Sequence, residues 1–177
     1  MNPKTKFITR TALFAAVIAL LSPFAIPLGP VPITLSLFAV LLSAVVLDWK
    51  QAAAAVAVYI LLGVIGLPVF SGGKGGAAVL AGATGGYIWS YILCAVIASL
   101  VAGKTRAQGA KQMLITAIGC ACGVIVCYIC GTLQFSAVAG RTFVEALSVC
   151  VIPFIIPDLI KCACAAILGT QIKNRIS

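Results

Sequence analysis

Long apolar blocks separated by short polar breaks organise this chain. A membrane-crossing helix needs about 20 mostly apolar residues. Six blocks approach or exceed that length, at about residues 7–26, 33–47, 51–67, 82–102, 111–133 and 142–170. The second and third are short or alanine-rich. The polar breaks are Asp48-Trp49-Lys50 and residues 103–110 and 134–141. No repeat, linker or second domain is visible, so residues 1–177 read as one domain. The expected fold is an all-α integral membrane bundle of six transmembrane helices. The first block follows a basic start and contains Ser22-Pro-Phe-Ala, as a signal peptide would, but it is long and more spans follow, so it is expected to be a retained helix.

Charge sets the expected topology. Of the twelve Lys and Arg, nine (Lys4, Lys6, Arg10, Lys50, Lys104, Arg106, Lys111, Lys173 and Arg175) fall on one side of a six-span chain. Lys74 and Arg141 fall on the other, and Lys161 lies within the last span. The positive-inside rule then puts the N- and C-termini in the cytoplasm, in a multi-pass protein of the cell membrane. An odd number of spans would spoil this bias.

Composition agrees and narrows the chemistry. The chain is 63% hydrophobic and 8% charged, against about 25% charged for a soluble domain. Eight prolines and 17 glycines argue against simple straight rods. There is no histidine, the commonest general base and metal ligand, and the acids are only Asp48, Glu145 and Asp158. An enzyme is hard to assemble from this set. Bases at segment ends also speak for topology and not for nucleic acid. The eight cysteines lie in apolar runs and read as small packing residues, although Cys120, Cys122, Cys127 and Cys130 faintly resemble metal spacing.

The costly residues are Asp158 and Lys161, inside the sixth block. A buried carboxylate and ammonium need pairing, water or a ligand, so they are functional candidates. At i,i+3 they are neighbours on one helix. A structural ion pair is the plainer reading. Pro153 and Pro157 are expected to kink this helix and free backbone carbonyls. Glu145, four residues after Arg141, reads as half of a helix-start ion pair. The glycine-rich stretch around Gly73 and Lys74 is either a flexible surface loop or a lid, and it lacks the ending of a phosphate loop. Ala12/Ala16 and Ala15/Ala19 are small-xxx-small pairs that let another helix approach closely. Tyr128, Gln134, Trp89 and Tyr91 sit near segment ends, where interfacial anchoring explains most of them.

Four segments taken in order resemble the BioY family, the biotin-specific S components of energy-coupling factor (ECF) transporters. They are Gly29-Pro-Val-Pro-Ile-Thr (29–34), Gly66-Leu-Pro-Val-Phe-Ser-Gly-Gly-Lys-Gly-Gly (66–76), Gly82-Ala-Thr-Gly-Gly-Tyr (82–87) and Pro153-Phe-Ile-Ile-Pro-Asp-Leu-Ile-Lys (153–161). The chain departs from the usual pattern at Ser36, Ala83, Gln134 and Pro157. The resemblance implies a helical bundle with a biotin pocket near the outer face. It also implies docking, through Ala12 and Ala16 or Ala15 and Ala19, onto a membrane T component with two cytoplasmic ATPases. No cofactor or metal is implied beyond biotin as the transported substrate.

Biotin offers two ureido N–H donors, a carbonyl acceptor, an apolar ring and a terminal carboxylate. A selective pocket matches each of these. Asp158 is expected to accept the ureido hydrogens, with Lys161, Thr84 and Tyr87 nearby. Thr34, Gly73 and Gln134 complete the expected set. Lys74 or Arg141 would meet the outer end, since an extended biotin is roughly two helical turns long. The opposite pose, carboxylate on Lys161, stays open. So do an S component for another vitamin and a membrane assembly protein without ligand.

Overall fold

A computed structural model describes residues 2–27, 31–104 and 109–176. Gly29 and Pro30 of the 29–34 motif, and Arg106, lie outside them. Helix α1 (Pro3–Leu21) leads to a two-stranded antiparallel pair, β1 (Ala25–Ile26) on β2 (Ile33–Thr34). Helices α2 (Ser36–Val46), α3 (Trp49–Val64), α4 (Ala77–Ala81), α5 (Gly85–Lys104), α6 (Gly109–Ala139), α7 (Phe143–Cys150) and α8 (Ile155–Ile176) follow. Among the described residues, three stretches are long and apolar enough to cross a membrane: Gly85–Gly103, Gly109–Ala139 and Phe143–Arg175. Helices α2 and α3 are apolar but shorter.

Two expected blocks change at prolines. The first starts at Pro3, behind an Asn2 cap whose side chain accepts from the Lys4 amide at 3.2 Å. It stops at Leu21, with Pro23 just past its end, where a proline cannot continue the helix. Ala25 and Ile26 therefore pair with Thr34 and Ile33 and are not helical. The sixth block breaks at Val151 (φ −122°, ψ −54°), and Ile152–Phe154 form a 3-10 turn around Pro153. Pro157 then falls in the first turn of α8, where amides have no helical partner, so it does not kink that helix. Glu145 feels the charge of Arg141 but is not in salt-bridge contact with it. It closes a capping box at the start of α7, accepting from the Thr142 amide at 3.0 Å while its own amide bonds the Thr142 hydroxyl at 3.4 Å.

Helix α2 is buried almost all round, with Val40, Leu41, Ala44 and Val45 in the core. That is the pattern of a central helix. It is also short. Its 11 residues rise about 16 Å, against about 46 Å for the 31 residues of α6. Helices α5 and α6 run antiparallel at close range, a contact only glycine permits. A Cβ on Gly86 would lie 2.8 Å from the Cys130 carbonyl oxygen, and one on Gly123 would lie 2.7 Å from that of Cys94. Such small-residue contacts replace the hydrophobic drive that lipid does not supply. Gly123→Val is expected to cost about 1–3 kcal/mol or more by overpacking, read as a lower Tm of the purified protein in detergent. An unchanged Tm would contradict the close α5–α6 approach.

Candidate functional site

Because α2 stops short, space remains beyond its N-terminus. A cavity of about 640 Å³, mouth included, opens there between the hairpin and helices α3, α5, α6 and α8. It lies at the bundle end opposite the chain termini, since it meets the start of α2, the end of α3 and the start of α5. Val31, Ile33, Leu37, Ile88 and Phe154 form apolar walls.

Two polar groups interrupt these walls. On α8, the Lys161 ammonium bonds Asp158 Oδ1 at 2.8 Å, with side chains only 12% and 7% exposed. The Tyr128 hydroxyl, from α6, donates to Asp158 Oδ2 at 2.6 Å. Each carboxylate oxygen thus holds one donor and keeps a further lone pair. Lys161 keeps donors beyond the one it gives Asp158. Across the cavity, Ser36 Oγ donates to Thr34 Oγ1 at 3.0 Å, and Tyr59 and Tyr91 line the same side. Tyr87 Oη lies 3.3 Å from Thr132 Oγ1. The site offers acceptor and donor together on one helix turn, hydroxyls opposite, and an apolar gap between. That arrangement suits a neutral polar ring with an apolar body.

The structure brings Asp158, Lys161, Thr84, Tyr87 and Thr34 to this cavity and leaves Gly73, Lys74, Gln134 and Arg141 outside its lining. Gln134 is engaged elsewhere. Its amide nitrogen donates to the Leu80 and Gly82 carbonyls at 2.7 and 2.9 Å, and its oxygen accepts from Trp89 Nε1 at 2.8 Å. It therefore fastens the α4–α5 junction to α6. Lys74 and Arg141 are exposed at the same end as the cavity. The loop carrying Lys74 is tightly folded, and its Ser71 does reach the cavity. The Phe70 amide donates to the Lys74 carbonyl at 2.9 Å, and the Gly72 amide ties the loop to Pro23 at 3.2 Å. Phe70 is fully buried and meets Tyr59 edge-on, ring centres 5.7 Å apart. Gly72 and Gly73 have φ of +69° and +73°, a region that favours glycine. Gly73 contributes backbone shape.

The alanine pairs of α1 separate by face. Ala12 and Ala16 are exposed, whereas Ala15 is buried in the core and Ala19 packs against it. Only the first pair faces outward, which corrects the expectation for Ala15 and Ala19. Among the described residues no group of His, Cys, Asp and Glu is arranged to hold a metal, and Cys127 and Cys150 line the cavity as free thiols. Tyr128, Tyr59 and Ser71 were not singled out from sequence as site residues.

A family model described as the BioY family matches residues 1–177. A biotin transporter BioY of Thermotoga maritima is 40% identical over 93% of this chain and 94% of that protein. A probable biotin transporter BioY of Pyrococcus horikoshii is 35% identical over 97% of this chain and 98% of that protein. Among solved structures, the S-component for biotin from an ECF-type ABC transporter superposes with a TM-score of 0.87 at 27% identity, covering 98% of this chain and 95% of that one.

The ion pair generates a stability test. Lys161→Met strands a buried carboxylate, and Asp158→Asn strands an ammonium, each expected to destabilise by up to about 3–5 kcal/mol. The double variant Asp158→Asn/Lys161→Met removes both charges and is expected to melt higher than either single variant in ligand-free detergent solution. Additive losses would mean that the two charges do not depend on each other.

Proposed function

The chain belongs to the BioY family, and from that premise we propose that it captures biotin in this cavity as the substrate-binding S component of an ECF transporter. It is a multi-pass membrane protein and a transporter component, not an enzyme. The observation that carries the ligand reading is the Asp158–Lys161 pair, largely buried on the wall of a cavity whose other polar groups are neutral hydroxyls. Such a pair is costly in a membrane helix unless something uses it. Biotin's ureido ring uses both partners: Asp158 accepts its N–H groups and Lys161 donates to its oxygen. The hydroxyls of Thr34, Ser36, Tyr59 and Tyr91, with Thr84 and Tyr87, surround the rest of the bicycle. The carboxylate then points to the mouth, toward the side that carries Lys74 and Arg141.

The membrane arrangement we propose has six spans, formed by α1, α2, α3, α5, α6 and the α7–α8 stretch, with both termini cytoplasmic. The bias of nine bases against two supports it. The cavity then faces outward, where vitamin arrives. The exposed Ala12/Ala16 face of α1 is the proposed contact with a T component, whose cytoplasmic ATPases supply the energy this chain has no motif to harvest.

Three measurements test this reading. Purified protein is expected to bind biotin with a sub-micromolar Kd and to ignore thiamine and riboflavin. Failure to bind biotin at micromolar concentration, or preference for another vitamin, would overturn it. Biotin is next compared with its methyl ester in Lys161→Met and Lys74→Met. In the proposed pose the preference for acid over ester survives loss of Lys161, and its disappearance in Lys161→Met would reverse the pose. Finally, reporter fusions after Ser177 are expected to report a cytoplasmic end, and a tag inserted beside Gly140 an external one.

A further inference from the structure

Tyr128 stands between two spaces of opposite character. One side of it lines the polar cavity. The other lines an apolar groove between α6 and α8, with Ala121, Val124, Ile125, Ile155 and Leu159. Asp158 lines both spaces as well. No groove-lining side chain among the described residues, other than Tyr128, hydrogen-bonds the carboxylate. Among the described residues, Asp158 Oδ2 has the Tyr128 hydroxyl as its donor, at 2.6 Å, while Lys161 holds Oδ1 at 2.8 Å.

We propose that Tyr128 is a positioning residue of the binding site: by holding Oδ2, it fixes the Asp158 carboxylate toward the cavity as a partly neutralised acceptor, tuned for a neutral cyclic urea and against a cationic analogue. The proposal rests on the biotin reading above. A carboxylate held at both oxygens cannot swing about its last torsion, so its free lone pairs keep one direction. A short O–H···O⁻ bond also draws charge from the acceptor. With Lys161 beside it, the site presents a dipole and little net charge. A ureido ring, with paired N–H donors and a carbonyl, matches a dipole. A protonated guanidine does not, because its exocyclic N–H group faces the Lys161 ammonium.

The test compares biotin with 2-iminobiotin, in which a protonated nitrogen replaces the ureido oxygen at neutral pH. In Tyr128→Phe the ring still separates cavity from groove, but Oδ2 loses its donor. Freed rotation weakens both ligands, while the more fully charged carboxylate attracts the cation. Biotin affinity is therefore expected to fall on the order of tenfold, and the ratio of biotin to 2-iminobiotin affinity to move toward the cation by a similar factor. Equal losses for both ligands, or no change in either, would sink the proposal. A merely structural Tyr128 would lower both alike. 4-Aminophenylalanine at position 128, which keeps a donor at the same ring position, is expected to retain the original preference. It also carries the test if Tyr128→Phe does not fold, since a shifted ratio in it overturns the proposal too. Failure of the unsubstituted protein to bind biotin counts against the biotin reading itself, and is read separately from a normal-binding protein whose selectivity ignores Tyr128.

Discussion

Helix α2 begins well short of the cavity end of the bundle, and most of the site follows from that. A central helix of full length would fill the interior with side chains, as a close-packed core requires. Eleven residues do not reach. The extended segment that feeds α2 crosses the gap and supplies Ile33 and Thr34 as a wall, with Ser36 at the helix start. The polar backbone of such a segment is tolerable at membrane depth only where it is covered by protein or borders a cavity. Short helix, hairpin and cavity are therefore one feature. The glycine loop after α3 completes the cover, held by Phe70 against Tyr59 and by the Gly72 amide on Pro23.

Charge can then be placed where the helices leave room for it. Asp158 and Lys161 sit in the first turns of α8, just after the break at Val151–Phe154. In the middle of an unbroken span the same pair would face lipid or packed side chains. Here it faces the cavity on one side and Tyr128 on the other. The break at Pro153 does this by separating α7 from α8. Ala146, Cys150 and Phe154 pack with Phe135 and Val31. The proline matters through the turn it forces before α8, and α8 itself continues from Ile155 to Ile176.

Much of this was legible in the order of residues, because hydropathy and charge are local quantities. The long apolar blocks, the Asp158–Lys161 pair and the break at Asp48-Trp49-Lys50 need no knowledge of which helix touches which, whereas the break expected at 134–141 is mostly helix, since α6 runs on to Ala139. Helix ends were read less well, since Pro23 and Pro153 act over single residues inside apolar runs. Gln134 illustrates a different limit. An amide near a helix end has the right chemistry for a ligand, yet its three bonds go to Leu80, Gly82 and Trp89, and nothing along the chain predicts that choice.

Tyr128 marks the same limit from the other side. Taken alone, a tyrosine in an apolar helix is an interfacial anchor by default. Its role depends on α6 lying against α8 in one register, which sets a hydroxyl on a carboxylate 30 positions away. The glycines of α6 help fix that register indirectly. Gly123 and Gly131 admit α5 so closely, against Cys94 and the Tyr87 ring, that α6 has little freedom to rotate about its axis. Small residues on one face of α6 thereby aim a polar residue on another. The chemistry of the site is thus set partly by positions that never touch it, and a reading confined to candidate ligands will pass over both kinds.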